Sequence, residues 1–143
     1  GAYKLQGNSQ IFATSSSIAT SDGRYKENVL PISSGLDIID SLNPVSFDWK
    51  AHPVHNFVEG KTVGFIAQEV KETLKGTEYV NAIVKANNCV IQEKEIDEMT
   101  GAVIKEEVRE EFLGIAEGNM VALLTKAIQE LKQEFDAYKA AHP

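Results

Sequence analysis

Two residues in the stretch TSDGRYKENVLPI, Thr20 to Ile32, have the types needed to cut a peptide bond. Ser21 carries a hydroxyl, a weak nucleophile until a base takes its proton. Lys26 carries an amine, which acts as a base where burial or a nearby cation disfavours its charged form. A serine–lysine pair is a known variant of the nucleophile–base logic of serine hydrolysis. Residues five apart do not share a helical face, so the two have to meet across a turn. Gly23 gives the chain the freedom for one, and Asp22 and Arg24 can pair to hold it. The bland reading needs only a turn capped by Ser21, with Lys26 in solvent. Residue types alone favour the bland reading, since a motif match without context is weak support for a site.

Other candidates are thinner. His52 and His55 form an H-x-x-H in a Pro-containing loop, and His142 lies in the tail. Zinc needs three or four ligands, so exposed loop histidines are the better reading and no metal is expected. Gln68 and Glu69 follow GFIA, where a helix start with Glu in its first turn accounts for them. Gly64 has no G-x-G-x-x-G context, which leaves no support for a dinucleotide loop. The Glu-rich stretch lacks the Asp/Asn/Gly order of a calcium loop. Cys89 stands alone in a strand-like run and reads as a small buried hydrophobe. No cofactor is expected.

The chain has 143 residues, 43% hydrophobic and 24% charged, with net charge −7. These totals fit one globular domain with an appendage at either end. The acidic balance argues against nucleic acid. No apolar run approaches the length of a membrane span, so no membrane is expected. With a single cysteine no disulfide can form within the chain. The start, GAYKLQGNSQ, lacks the charged and apolar regions of a signal peptide, and the absence of an initiator Met suggests a fragment.

The elements that must position the chemistry follow from periodicity. Residues 1–20 are extended and Ser/Thr-rich, like the tail of something upstream. SSGLDIIDSL reads as a helix capped by Ser33 or Ser34, with Leu36, Ile39 and Leu42 on one face. VSFDWK alternates Val45, Phe47 and Trp49 against polar residues, the pattern of a half-buried strand. AHPVHNFVEGK is a polar hairpin or loop. TVGFIAQEV is a strand that turns into a helix around Ala67, closed by Gly76. YVNAIVKANNCVIQEKEI and AVIKEEVREEF are strand-like runs around the turn DEMTG, although the Glu-rich second arm also suits a helix. The segment from Glu117 carries the strongest period in the chain. Met120, Leu124, Ala127 or Ile128, Leu131, Phe135 and Tyr138 step by three and four. Fewer than three heptads make a marginal coiled coil, so tertiary or trimer packing has to support it.

Four blocks in order, SDGRYKEN, LNPVSFDWK, VGFIAQEV and MVALLTKAIQEL, resemble the C-terminal intramolecular chaperone domains of bacteriophage tailspikes, tail fibres and neck appendages. Endosialidase tailspikes are the best-known members, and a related domain occurs in the myelin regulatory factor. The resemblance runs from about Ser21 to Tyr138, and the first block fits S-D-x-R-x-K-x-N. It implies a domain that trimerises, guides folding of an upstream β-rich passenger, then cuts itself away. It makes Ser21 the catalytic serine and Lys26 its base, and puts the cut at Ser21–Asp22. Gly23, Arg24 and Asn28 would hold the turn. Residues 1–20 would be the passenger's end, 21–143 the chaperone, and 119–140 its trimerisation helix. The seam would comprise Met120, Leu124, Ile128, Leu131 and Phe135. The partners would be two further copies and the passenger, in host cytoplasm during virion assembly. Two departures stand out: KETLKGTEYV has no Pro, and Asn87–Phe112 is long and acidic.

The expected fold is α+β: a small β-rich part with short helices, and a long C-terminal helix, assembling as an intertwined homotrimer. The rival function is a permanent trimeric cap or receptor-binding tip that is never cut. A third reading, a fragment of a eukaryotic membrane-associated transcription factor, lacks the membrane span expected after it.

Overall fold

The computed structural model describes residues 11–143, so the first half of the expected passenger end lies outside the described residues. The chain divides into two compact units. One holds the residues up to Pro31 together with Phe47–Thr62, and the other holds Ile32–Ser46 with Val63–Pro143.

The second unit contains the core. In chain order it carries α1 (Leu36–Asp40), α2 (Ala67–Thr73), α3 (Val80–Ile83) and α4 (Glu117–Ala141), the last with 25 residues. Strands β1 (Val45–Phe47) and β2 (Thr62–Gly64) pair with each other. Strand β3 (Val84–Gln92) pairs antiparallel with β6 (Val108–Ile115), from Val84 opposite Ile115 to Gln92 opposite Val108. Short strands β4 (Glu95–Ile96) and β5 (Val103–Lys105) form the hairpin's tip. This is the expected α+β composition.

The core is small. Val70 and Leu74 of α2 and its cap meet Ile83, Val84, Met120 and Leu123. Ile38, Ile39, Leu42, Phe65, Leu113 and Ile115 close over it. No polar or charged side chain is buried among the described residues.

Helices of four to seven residues do not persist alone, because nucleation is unfavourable and few hydrogen bonds repay it. Here the long helix supports them. The first turn of α1 is not capped by Ser33 or Ser34, contrary to the expectation. Gly35 stands at its N-cap with no side-chain cap from a neighbour. Instead Glu130 of α4 accepts from Gly35 N–H at 3.1 Å with Oε1 and from Leu36 N–H at 3.0 Å with Oε2. A carboxylate is a stronger acceptor than a hydroxyl, and a tertiary cap cannot be read from local spacing. Gly35 also lies against the α4 backbone. A Cβ there would fall 2.7 Å from both Ala127 N and Leu123 O.

The strand expected to begin at Tyr79 is also corrected at its start, where α3 forms instead. The turn is held from α4: Ala116 N–H donates to Ile83 O at 2.7 Å, and Asn119 Nδ2 donates to Ala82 O at 2.9 Å. Tertiary contacts thus override a β-branched local preference. The Glu-rich second arm, open between strand and helix, is strand. Its DEMTG turn is built by Asp97, whose Oδ1 accepts from Met99 and Thr100 N–H at 2.8 and 2.9 Å, with Gly101 at φ 71°. Gly76 is not the cap of α2 that the sequence suggests: the helix ends at Thr73 with Leu74 as its C-cap, and Gly76, at φ 83°, lies two residues further on in the turn that follows.

A methyl group at Gly35 has no room unless α1 and α4 separate. Gly35→Ala is expected to lower stability by about 1–3 kcal/mol, the usual range for overpacking. Gly114→Ala, where a Cβ meets nothing within 4 Å, is the control and should cost little. Urea denaturation at fixed chain concentration separates the two.

Candidate active site

The stretch around Ser21 folds through local hydrogen bonds, all within the first unit. Gly23–Tyr25 form one 3-10 turn. Asp22 caps it, its Oδ1 accepting from Arg24 N–H at 2.9 Å. The guanidinium of Arg24 returns to the same carboxylate, Nε at 3.1 Å from both oxygens and Nη2 at 2.7 Å from Oδ2. Backbone bonds from Tyr25 N–H to Asp22 O and from Lys26 N–H to Gly23 O complete the turn. Lys26 leaves it in extended conformation, at φ −116° and ψ 140°. The turn therefore brings Lys26 back to Ser21: Nζ lies 2.7 Å from Oγ.

Asn28 gains a physical reason that its position alone did not supply. Its φ is 53°, in the left-handed region, and it is the one non-glycine residue there among those described. Asn tolerates this conformation better than most side chains. The turn and its exit thus use the residue types of S-D-x-R-x-K-x-N as cap, fork, amine and left-handed exit.

The fork biases both partners. The Arg24 guanidinium holds the Asp22 carboxyl below the usual carboxylate range, helped by the Arg24 backbone N–H. The carboxylate in turn raises Arg24. Ser21 and Lys26 are both exposed in the single chain. So are the large apolar residues that flank them in the chain: Ile18 is 95% exposed, Leu30 79% and Tyr25 77%.

The remaining candidates are placed elsewhere. His52 and His55 lie in the loop Asp48–Lys61, their ring centroids 4.8 Å apart. Nδ1 of His52 accepts from Val54 and His55 N–H at 3.2 Å each. Trp49, expected to extend a strand, stacks on Phe57 with centroids 4.3 Å apart. Asp48 and Lys61 join the loop's ends at 2.6 Å. Among the described residues no three His, Cys, Asp or Glu gather into a metal-holding group. Glu69, in the first turn of α2, accepts from Asn43 Nδ2 at 3.1 Å.

Of the expected seam, Met120 is buried in its own chain's core, beside Leu123 and near Ala127. Leu124, Ile128, Leu131, Phe135 and Tyr138 are exposed, from 44% at Leu124 to 66% at Ile128. Val121 extends that exposed row toward the N-terminus and is absent from the expected seam. The signal is in the sequence, since Val121 lies three residues before Leu124 in the same three-and-four rhythm. Among the described residues no helix is long and apolar enough to cross a membrane.

Comparison with known proteins points one way. Residues 21–79 match a peptidase family described as chaperone of endosialidase. That span begins at Ser21 and includes the whole 3-10 turn. A solved structure of the carboxy-terminal domain of the bacteriophage T5 L-shaped tail fibre, with its intramolecular chaperone domain, shares the fold. The TM-score is 0.59 at 14% identity, over 92% of this chain and 34% of that one. This chain therefore spans about a third of that relative's length. No curated protein matches the sequence.

The ionic fork can be tested alone. In a Ser21→Ala chain, ¹³C NMR titration should place the Asp22 carboxyl below its ordinary 3.8. Arg24→Gln should raise it part of the way toward that value, because the backbone N–H at position 24 still donates to Asp22. Because the folded value is depressed, the fork's contribution is present above the ordinary range and lost as pH falls through the lowered one.

Proposed function

With residues 21–79 matching the chaperone-of-endosialidase family, we propose that this chain is an intramolecular chaperone of a phage tail fibre or tailspike. It joins two copies of itself, guides folding of the passenger that ends near residue 20, and then releases itself by cutting at Ser21–Asp22. The observation that carries this reading is the 2.7 Å approach of Lys26 Nζ to Ser21 Oγ at the start of the matched segment.

The chemistry needs a change of roles in that hydrogen bond. A charged lysine donates to the serine oxygen; a neutral one accepts the serine proton. Exposure to water favours the charged form, and a cover that strips water away favours the neutral one. The bare apolar residues around the dyad suit such a cover, supplied by neighbouring copies or the passenger. Assembly would then switch on the cut.

The route of the proton and the bond follows. Lys26 takes the proton from Ser21 Oγ, the oxygen attacks a carbonyl, and the lysine returns the proton to the departing amine. Water then hydrolyses the ester and frees the serine. Attack by Oγ on the carbonyl of its own residue closes a strained four-membered ring. A cut at Ser21–Asp22 therefore needs a serine from another copy or a water activated by Lys26. Attack on the Thr20 carbonyl closes a five-membered ring and cuts Thr20–Ser21 instead. Asp22, Gly23, Arg24 and Asn28 act by holding the turn.

A single turnover suffices. Long β-rich trimers fold slowly through non-local contacts, and a seed at one end raises the local concentration of the three strands. Removing the seed afterwards leaves unfolding without its reverse path, so stability becomes a rate.

Intact-mass spectrometry of the fusion with its passenger tests the reading. The wild type should yield a C-terminal fragment beginning at Asp22, and Ser21→Ala and Lys26→Met should stay whole. A fragment beginning at Ser21 would move the attack to the Thr20 carbonyl. An uncut, trimeric wild type would leave a structural cap in place of a protease.

A further inference from the structure

Asp22 is followed by Gly23, the one Asp–Gly or Asn–Gly pair in the sequence. That pair carries a chemistry of its own, apart from the serine and lysine beside it. The main-chain nitrogen of the second residue can attack the side-chain carboxyl of the first, and a glycine there has no side chain to obstruct the approach. The attack forms an N–Cγ bond and closes a five-membered imide. One carboxyl oxygen leaves as water and takes the N–H proton with it. Water then opens the ring at either carbonyl. Opening at the side-chain carbonyl restores Asp; opening at the main-chain carbonyl leaves isoaspartate, with the chain running through Cγ. One water leaves and one returns, and no other reactant is needed.

Such a change dismantles the turn. The carboxylate that caps it becomes part of the main chain. The main-chain carbonyl that accepts from Tyr25 N–H at 3.1 Å becomes a free carboxylate. The path from Ser21 to Lys26 gains an atom, and the 2.7 Å approach of Nζ to Oγ loses the turn that makes it.

The folded turn opposes the reaction. Ring closure needs the Gly23 nitrogen swung onto the Cβ side of Asp22, and the extended conformation of Asp22, at φ −70° and ψ 126°, holds it away. Both carboxyl oxygens are engaged: Oδ1 accepts from Arg24 N–H and Nε, and Oδ2 from Nε and Nη2. An ionised carboxylate is a poor target for a nucleophile, and the Arg24 guanidinium keeps this one ionised. Crowding gives no such protection, since a Cβ added at Gly23 would meet nothing within 4 Å.

We infer that Asp22–Gly23 is a site of spontaneous isoaspartate formation, and that Arg24 guards it by holding the Asp22 carboxylate in its planar fork. Resting on the reading of Ser21 and Lys26 above, a chain altered at this site before assembly would lose its cut.

The full chain carrying Ser21→Ala, held at neutral pH and sampled over weeks, tests this without any dependence on cutting. Peptide mapping with electron-transfer fragmentation separates isoaspartate at position 22 from aspartate of equal mass. Arg24→Gln should accumulate it several-fold faster than the parent chain. Arg24→Lys restores the charge without the fork and should fall between them. Gly23→Ala added to Arg24→Gln should slow the reaction again, which identifies the attacking nitrogen. In urea the parent and Arg24→Gln should converge on one fast rate, because the fork exists only in the folded turn. Equal rates for the folded parent and Arg24→Gln, or a folded parent that ages as fast as the unfolded one, overturn the inference and leave the proposed cut standing. A wild-type fusion that stays whole, beside the expected ageing rates, overturns the reading of the dyad and leaves the inference standing.

Discussion

The short helices of the second unit depend on packing from outside, and α1 and α3 take theirs from the inner face of α4. The other helices have five, seven and four residues, too short to hold their own hydrogen bonds against fraying. Each is stabilised from outside. The first turn of α1 gives two N–H groups to Glu130, α3 has its last carbonyls taken by Ala116 and Asn119, and α2 buries Val70 and Leu74 beside Met120 and Leu123. The close approach at Gly35 makes this possible, since any side chain there would push α1 away from the acceptor that caps it. The core is therefore a set of short pieces arranged on one long one.

That arrangement decides what a reader of the sequence can see. The long helix is legible because its apolar rhythm persists over many turns, and the hairpin because DEMTG has the chemistry of a turn. The cap of α1 is not legible: Ser33 and Ser34 are good local cappers, but the acceptor, Glu130, lies far along the chain. The helical turn at Val80 is hidden for the same reason, its carbonyl partners being at the start of α4. Met120 reads as a seam residue because two apolar rows on neighbouring faces overlap in sequence. Rhythm alone does not say which row faces home, and the backbone contact at Gly35 does.

The dyad turn has the opposite character. Its geometry is almost wholly local, so its motif is readable: Asp22 caps, Arg24 clasps Asp22, and the chain swings Lys26 onto Ser21 five residues away. Asn28 is readable as part of the motif but not for its reason, which is a backbone angle. What local geometry cannot supply is the environment. An exposed amine beside an exposed hydroxyl is a hydrogen bond before it is a catalyst. The difference lies in water, and among the described residues nothing shields the pair from it.

The two halves of the problem then meet in assembly. The chain exposes Ile18, Tyr25, Val29 and Leu30 close in sequence to the Ser21–Lys26 pair, and six large apolar residues along α4. Covering the helix lowers free energy through apolar burial, and covering the dyad changes which form of Lys26 is favoured. The first process is thermodynamic and reversible; the second, on the proposed reading, opens a covalent step that is not. If Ser21 and Lys26 cut the chain as proposed, placing both in one chain makes the irreversible event wait on the reversible one. A seed that cut before assembling would release its passenger with nothing to align it, so the solvated state of the pair in the lone chain fits that reading.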